Sequence, residues 1–253
     1  MDLISDEDVP AHPSAPESPA LYRSATETPA FELKFLLNAE EACEVERRFR
    51  LQMGPDPYAC PALGAYHVTS VYFDTLQLDV YRRSKKYRRR KYRVRRYGTT
   101  ETAFLERKSR KDERVRKRRT ALPLAELAVL SNGMPADWPG AWFARQLARR
   151  ALRPICRVSY ERIALVGTCH AGPIRVTFDR SACGSAAHDP LPESVPDGKR
   201  LMNGEVIVEF KFLASLPGIF KDVIEELRLC PRPVSKYRRC VEALGLATEN
   251  RNA

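Results

Sequence analysis

Charged residues alternate with bulky apolar residues along segment after segment of this chain, which restricts the folds it can adopt. Successive side chains of a β-strand point to opposite faces, so residues two apart share a face. In "RRRKYRVRRYG", residues 88–98, one face carries Lys91, Arg93 and Arg95, and the other carries Tyr92 and Val94. Other segments repeat this division, with charges of both signs at Glu32 and Lys34, Glu106 and Lys108, Arg175 and Asp179, and Glu209 and Lys211.

Eight strands and several helices follow from such patterns. Strand patterns lie at residues 31–37, 66–75, 87–98, 102–110, 114–124, 154–167, 172–182 and 204–214. The third, fourth and fifth are separated by Gly-Thr-Thr and by Lys-Asp-Glu, which predicts an antiparallel meander. Helical patterns begin after Asn38, where Glu41 completes a capping box, and recur at residues 122–133, 139–152, 217–229 and after 235–240. Residues 1–30 hold five prolines and are predicted to be a disordered tail, and residues 247–253 a short C-terminal tail.

The inserted helices have apolar faces, and we expect these faces to pack against the apolar faces of the strands. The charged faces would then point at one another across a closed or nearly closed barrel. We therefore predict an α+β fold, an eight-stranded antiparallel β-barrel with flanking helices. Each strand taken alone would also fit an ordinary solvated surface. Because an unpaired buried charge is very costly, a barrel interior lined with Arg and Lys requires an anionic guest.

The positive charge is concentrated in one part of the chain. Residues 82–119 contain 20 Lys and Arg but only four Asp and Glu, which indicates a polyanionic partner. A duplex nucleic acid is too wide to enter an eight-stranded barrel, whereas a linear run of phosphates could enter. No nucleic-acid-binding signature is present, so nucleic acid is not an expected partner.

The cysteines and the hydropathy pattern bear on location. The seven cysteines include no C-x-x-C pair, which predicts reduced thiols, with neither a disulfide framework nor a zinc site. No uninterrupted apolar stretch approaches 18 residues, so no membrane span is expected. We expect a cytoplasmic protein, in which His67 has a structural role.

Eight short motifs occur in this order: "FELKFLL", "SVYFDT", "RRRKYRVRRYG", "FLERKSR", "RVSYERIAL", "RVTFDR", "VIVEFKF" and "SKYRRCVEAL". In order and spacing the set resembles the VTC domain, the polyphosphate-polymerase branch of the triphosphate tunnel metalloenzymes and CYTH-like superfamily. The resemblance covers residues 31 to about 246. It implies a tunnel that binds ATP with Mn²⁺ or Mg²⁺ and transfers the terminal phosphate to inorganic polyphosphate. Phosphate or pyrophosphate would be further ligands.

The resemblance also implies roles for individual residues. Catalytic roles fall on Arg93, Arg95, Lys108, Arg162 and Lys211. Substrate binding falls on Lys34, Lys91, Arg116, Arg118, Tyr160, Arg175 and Lys236, the last within the closing Ser235-Lys236-Tyr237 motif. Glu209 takes the place of the family's metal-binding glutamate, and the further candidate metal ligands are Glu32, Glu106 and Asp179.

Three functions remain open at this point. Phosphoryl transfer to an ionised phosphate needs no general base, so positioning and charge neutralisation suffice for a polymerase. A hydrolase of tripolyphosphate or an organic triphosphate would use the same binding chemistry, and a non-catalytic polyphosphate-binding module would use it without turnover. The chain shows no regulatory or membrane-spanning part, which leaves a membrane-protein partner open. Arg88, Arg90 and Arg96 are either solvated at a strand edge or guide a product away from the tunnel mouth.

Overall fold

The computed structural model describes residues 24–26, 28–57, 64–133, 135, 137–195 and 197–249. These residues form eleven strands. In chain order the strands are β1 (Ser24–Thr26), β2 (Ala30–Leu37), β3 (Gly54–Pro55), β4 (Ala65–Asp74), β5 (Arg90–Tyr97), β6 (Thr102–Lys111), β7 (Arg114–Pro123), β8 (Arg153–Cys169), β9 (Gly172–Ala186), β10 (Lys199–Arg200) and β11 (Val206–Phe212).

Seven α-helices and one 3₁₀ turn, Leu124–Ala128, accompany the strands in the described residues. The helices are α1 (Ala39–Arg50), α2 (Asp79–Arg82), α3 (Val129–Asn132), α4 (Ala141–Arg149), α5 (Gly218–Glu226), α6 (Lys236–Ala243) and α7 (Leu246–Glu249). The predicted capping box at the start of α1 is present. The Asn38 side chain accepts a hydrogen bond from the Glu41 amide, and the Glu41 carboxylate accepts one from the Asn38 amide, both at 2.9 Å.

Eight of the strands close into a barrel. Around the barrel their order is β9, β11, β2, β7, β6, β5, β4 and β8, and the antiparallel pairing of β8 with β9 completes the ring. Every pairing between them is antiparallel. The predicted fold class, an eight-stranded antiparallel barrel with flanking helices, is confirmed.

The apolar faces of the strands turn outward, beneath the helices. Helices α1 and α5 cover one side, where Phe49 and Phe220 pack against Phe210 of β11. On the other side α4 packs Phe143 against Phe73 and Tyr92. These side chains are almost completely buried, and burial of an aromatic or large aliphatic side chain contributes about 1.5–3 kcal/mol. The charged faces are thereby left to form the barrel interior.

The chain enters the barrel along β7. Residues Ser24–Thr26 of β1 pair with Arg118–Thr120, so the structured region begins before residue 30, earlier than the tail prediction placed it. Strand β2 pairs with β7 only at Ala30 and Phe31 and then follows β11, which leaves the rest of the β7 edge for β1. The tail prediction for residues 1–23 lies outside the described residues.

Two further findings concern the helices and the cysteines. Helix α7 continues to Glu249, three residues into the predicted C-terminal tail. No helix within the described residues has the length and hydropathy needed to cross a membrane. The six cysteines in the described part of the chain are free thiols, as the sequence predicted.

Candidate active site

A cavity of about 170 Å³ lies inside the barrel, and we call it the barrel cavity. Ten basic side chains line it: Lys34, Lys91, Arg93, Arg95, Lys108, Lys117, Arg162, Arg175, Lys211 and Lys236. Among the lining residues that the structure describes, only Glu32 and Glu209 are acidic. The strand period explains this composition, because the residues that alternate with the outward apolar side chains all point into the barrel.

Arg95 is the most confined of these cations. It is 4% exposed, and its guanidinium donates to the Ser70 hydroxyl at 2.9 Å and to the Tyr160 hydroxyl at 3.0 Å. Burial raises the pKa of Tyr160, so this partner is neutral. Within the described part of the chain no carboxylate forms a salt bridge with Arg95. A buried cation whose hydrogen bonds go to hydroxyls and not to carboxylates is a ready partner for an anion.

Glu106 and Asp179 are buried directly behind the cavity cations, and we call them the buried carboxylates. Glu106 accepts from Arg93 Nε at 2.6 Å and from Arg119 Nε at 2.8 Å, with Lys117 Nζ at 3.6 Å. Burial opposes the ionisation of Glu106, but the three cations outweigh it and hold its pKa well below the usual range. Glu106 therefore fixes the position of cations at the cavity wall.

Asp179, on β9, likewise holds cations in place at the cavity wall. Arg162 grips both of its carboxylate oxygens, at 2.6 and 2.8 Å, and Lys236 donates to one of them. Burial again opposes ionisation, and Arg162 and Lys236 again outweigh it, so the pKa of Asp179 is lowered. Lys236 reaches this position because Ser235 caps α6 at the cavity edge.

Glu32 and Glu209 differ, because both line the cavity, and we call them the cavity carboxylates. Strand pairing places Glu209 opposite Lys34 and Glu32 opposite Lys211. The Glu209 carboxylate lies 2.6 Å from Lys34 Nζ, and the Glu32 carboxylate lies 2.5 Å from Lys108 Nζ. Burial opposes ionisation of Glu209, but Lys34 and Lys108 lower its pKa well below the usual value.

Two lysines of the cavity hold their protons weakly. Burial, with the nearby charges of Lys34 and Lys108, lowers the pKa of Lys91 to about 7. The Lys91 ammonium donates to the Ser235 hydroxyl at 2.7 Å, which supplies no negative charge. Burial also lowers the pKa of Lys236 to about 8, although Asp179 counteracts it. The cavity therefore holds more positive charge than its own carboxylates can stabilise.

Residues 30–245 of the chain match the sequence model of the VTC domain. The chain belongs to the VTC domain family. Its fold and family identify it as a tunnel protein related to polyphosphate and triphosphate enzymes. No curated protein matches the chain significantly.

Solved structures similar to this member of the family include two described as proposed adenylate cyclases. The first, from Bacillus halodurans, is 14% identical with a TM-score of 0.53, and the alignment covers 83% of this chain and 95% of that one. The second, from Hippeastrum, has a dominant triphosphatase activity; it is 12% identical with a TM-score of 0.48, over 86% of this chain and 97% of that one. The first likeness shows a shared barrel fold.

Most residues that the sequence assigned to the site lie on the barrel cavity. They are Glu32, Lys34, Lys91, Arg93, Arg95, Lys108, Tyr160, Arg162, Arg175, Glu209, Lys211 and Lys236. Glu106 and Asp179 lie behind them, bonded to cavity cations. His67 forms a contact of 3.3 Å with the Tyr160 carbonyl and does not line the cavity.

The predicted positions of Arg116 and Arg118 were wrong. Both face outward on β7, where the Arg118 guanidinium lies 4.2 Å from the centre of the Trp142 ring. Glu106 pairs with Arg119 and Lys108 pairs with Lys117, so Lys117 and Arg119 are the inward residues of this strand. A shift of one residue moves every side chain of a strand to the opposite face.

Tyr97 is a further residue that the sequence did not single out. Its hydroxyl accepts a hydrogen bond from Arg119 at 2.7 Å, and its ring packs edge-on against Tyr66, whose hydroxyl accepts from Arg175. Burial opposes ionisation of Tyr97, but Arg95 and Arg119 outweigh it and lower its pKa to about 7. The signal available in the sequence was its position two residues beyond Arg95, on the same strand face.

The carboxylates define where a divalent metal could bind. In the described part of the chain no three His, Cys, Asp or Glu side chains form a metal-binding group. Mg²⁺ usually uses one or two carboxylates and takes its other ligands from water and substrate phosphates. Glu209 and Glu32 fit that donor set because both line the cavity. Glu106 and Asp179 have their oxygens bonded to arginine.

Proposed function

We propose that this protein transfers the terminal phosphate of ATP to the end of an inorganic polyphosphate chain inside the barrel. The observation that carries the proposal is the lining of the barrel cavity, with ten basic side chains against two carboxylates. Glu106, Asp179 and Asp56 neutralise some of these cations from behind the lining. The excess of positive charge that remains would be stabilised by a ligand with several phosphates in a row. ATP, polyphosphate and a short phosphate product share that property.

Catalysis in this proposal rests on positioning and on neutralising charge. The acceptor, a terminal phosphate, is already ionised and needs no general base. Arg93, Arg95, Arg162, Lys108 and Lys211 would contact the phosphate that is transferred and stabilise the charge that its oxygens carry in the transition state. The rest of the phosphate chain would contact Lys34, Lys91, Lys117, Tyr160, Arg175 and Lys236.

A divalent ion, Mn²⁺ or Mg²⁺, completes the proposed site. Glu209 would hold it, with Glu32 as a second ligand, and when bound it would neutralise charge on the phosphate oxygens. Because Lys34 now neutralises Glu209, the lysine would become available to phosphate oxygens as the carboxylate turns to the metal. Glu106 and Asp179 are not assigned to the metal, since they hold Arg93, Arg119 and Arg162 in place.

The test is incubation of the purified protein with ATP and Mn²⁺, followed by gel analysis of acid-stable phosphate chains. We expect a ladder of chains. Release of phosphate without a ladder would instead favour a triphosphate hydrolase, and binding without turnover would favour a polyphosphate-binding module.

Variants of the barrel cavity test which residues carry the reaction. We expect Arg93→Ala and Lys211→Ala each to abolish the ladder while circular dichroism shows a retained fold. Arg47→Ala is the matched control, because Arg47 lies on the exposed face of α1 and contacts only Glu44 among the described residues. Full activity in either cavity variant would overturn the assignment of the cavity as the active site.

A further inference from the structure

A second basic site lies at one end of the barrel, around the turn that joins β6 to β7. It is a groove of about 570 Å³, which we call the outer groove. Six basic side chains line it: Arg89, Arg90, Arg110, Lys111, Arg114 and Arg116. Among the described lining residues, Asp112 is the single carboxylate.

The fold itself does not account for this charge. Strand pairing sets Lys111 directly opposite Arg114, and Arg90 and Arg116 flank Ser109 from the two neighbouring strands. Like charges placed opposite each other on a sheet are destabilising. Among the described residues, no carboxylate forms a salt bridge with any of the six basic side chains. A bound anion would relieve this repulsion.

The outer groove is distinct from the barrel cavity. Ser109 and Arg116 face the groove, whereas their neighbours in sequence, Lys108 and Lys117, face the cavity. Arg90 in the groove likewise precedes Lys91 in the cavity. The same three strands therefore present basic side chains on both of their faces at one end of the barrel.

The geometry points to inorganic polyphosphate as the ligand of the outer groove, and this inference rests on the proposed function in assuming that polyphosphate is present. We propose that the groove holds a stretch of a long chain that extends beyond the barrel. Guanidinium groups bind phosphate through two parallel hydrogen bonds. No aromatic side chain is among the described lining residues, so the groove lacks the aromatic platform on which single-stranded nucleic-acid bases usually stack. A phosphate chain without bases matches both properties.

The test compares two phosphate ligands and a groove variant. Tripolyphosphate is short and reports on the barrel cavity, whereas a chain of about one hundred phosphates reports on both sites. The variant is Arg89→Gln/Arg90→Gln/Lys111→Gln, which removes three exposed charges and no salt bridge among the described residues. We expect its affinity for the long chain to fall at least about tenfold, and the slope of log affinity against log salt to decrease by about two to three. Its affinity for tripolyphosphate should change less than about twofold.

A matched control variant distinguishes the loss of the groove site from a general loss of positive charge. Lys199→Gln/Arg200→Gln/Arg228→Gln also removes three exposed basic side chains, none of which lines the groove. We expect this control to bind the long chain within about twofold of the parent protein. Equal losses in the groove variant and the control, or no loss in the groove variant, would overturn the proposal. Tighter binding of single-stranded DNA than of polyphosphate, lost in the groove variant, would also overturn it.

Failure of this inference can be told apart from failure of the proposed function. If the protein makes no ladder from ATP but the groove variant still loses affinity for the long chain, the groove is a polyphosphate site and the polymerase proposal is wrong. If the ladder forms and the groove variant binds the long chain as tightly as the parent protein, the polymerase proposal is supported and the groove proposal is wrong. Circular dichroism of the variant, expected to match the parent, confirms that the comparison is between folded proteins.

Discussion

The four carboxylates inside the barrel form two pairs with different surroundings. The buried carboxylates, Glu106 and Asp179, are enclosed and bonded to arginine through both oxygens. The cavity carboxylates, Glu32 and Glu209, each contact a lysine and line the open space. The barrel therefore uses the same functional group for two purposes. The buried pair holds cations in place, and the cavity pair is available to an ion that enters with the substrate.

The largest expected effect is on stability, from removal of a buried carboxylate. Glu106→Ala would leave Arg93, Lys117 and Arg119 close together without their common counter-ion. Breaking a buried ion pair by removing one partner typically costs about 3–5 kcal/mol. We expect the free energy of unfolding, measured by urea denaturation, to fall by about that amount.

The matched control for this prediction is Glu44, a carboxylate at the protein surface. Glu44 lies on α1 and pairs with Arg47 and Arg48 near the surface, so Glu44→Ala should destabilise the protein far less than Glu106→Ala. A loss below about 1 kcal/mol for Glu106→Ala would show that Glu106 does not hold the cations, and the distinction between the two carboxylate pairs would fail.

The next effect concerns the metal and the cavity carboxylates. We expect Mn²⁺ to raise the affinity of the parent protein for tripolyphosphate, and Glu209→Gln to lose most of that gain. Without metal, Glu209→Gln should bind tripolyphosphate at least as tightly as the parent, because a negative charge has been removed beside the phosphates. Isothermal titration calorimetry with and without Mn²⁺ measures both quantities.

Glu46→Gln is the control for the metal prediction. Glu46 pairs with Arg50 and Arg180 outside the barrel cavity, so its replacement should leave the gain from Mn²⁺ intact. An undiminished gain in Glu209→Gln would assign the metal to other ligands.

Much of this arrangement follows from the sequence alone. The period of two on β5 separates Lys91, Arg93 and Arg95 from Tyr92 and Val94, and the structure places the first set on the cavity and the second in the core. The prediction is clear for β5 because charged and apolar residues alternate along it. The same contrast identifies the inward residues of β2, β9 and β11.

On strand β7, alternation of charged and apolar residues does not predict which side chains point into the barrel. Residues 116–119 are all basic, so alternation cannot tell its two faces apart. The register then depends on the length of the turn before it. A three-residue turn at 111–113 would set Arg118 opposite Glu106, whereas the observed two-residue turn, Asp112 and Glu113, sets Arg119 there. The partners of Glu106 come from strands that meet only after folding, and no local pattern specifies them.

A smaller effect concerns pH. The pKa of Lys91 is about 7 in the free protein and that of Lys236 about 8, and a bound polyanion would raise both. Phosphate binding above these values therefore requires proton uptake by the lysines, so affinity for tripolyphosphate should decline as the pH rises through 7 and 8. It should then fall by up to about tenfold per pH unit for each lysine as the pH rises further.

Lys91→Arg tests the source of this pH dependence. A guanidinium stays charged across this range, so we expect the decline between pH 7 and pH 9 to become shallower in titrations of the variant with tripolyphosphate. An affinity that does not vary with pH in the parent protein, or a slope unchanged in Lys91→Arg, would contradict the role given to Lys91.

The smallest effect distinguishes the two faces of β7. Lys117 lines the cavity near Glu106, whereas its neighbour Arg118 lies against Trp142 on the outside. Lys117→Gln should weaken tripolyphosphate binding several-fold, to about tenfold, through loss of one charge at close range. Arg118→Gln should mainly lose a cation–π contact, about 0.5–1 kcal/mol of stability. A stronger effect of Arg118→Gln on binding would return β7 to the register that the sequence suggested.

A crystal structure of the protein with tripolyphosphate and Mn²⁺ would test directly whether the barrel interior binds a linear phosphate chain. We expect the three phosphates inside the barrel cavity, in contact with Arg93, Arg95 and Arg162, with the metal between Glu209 and the phosphate oxygens. Tripolyphosphate bound only outside the barrel, with the cavity empty at saturating ligand, would contradict the account.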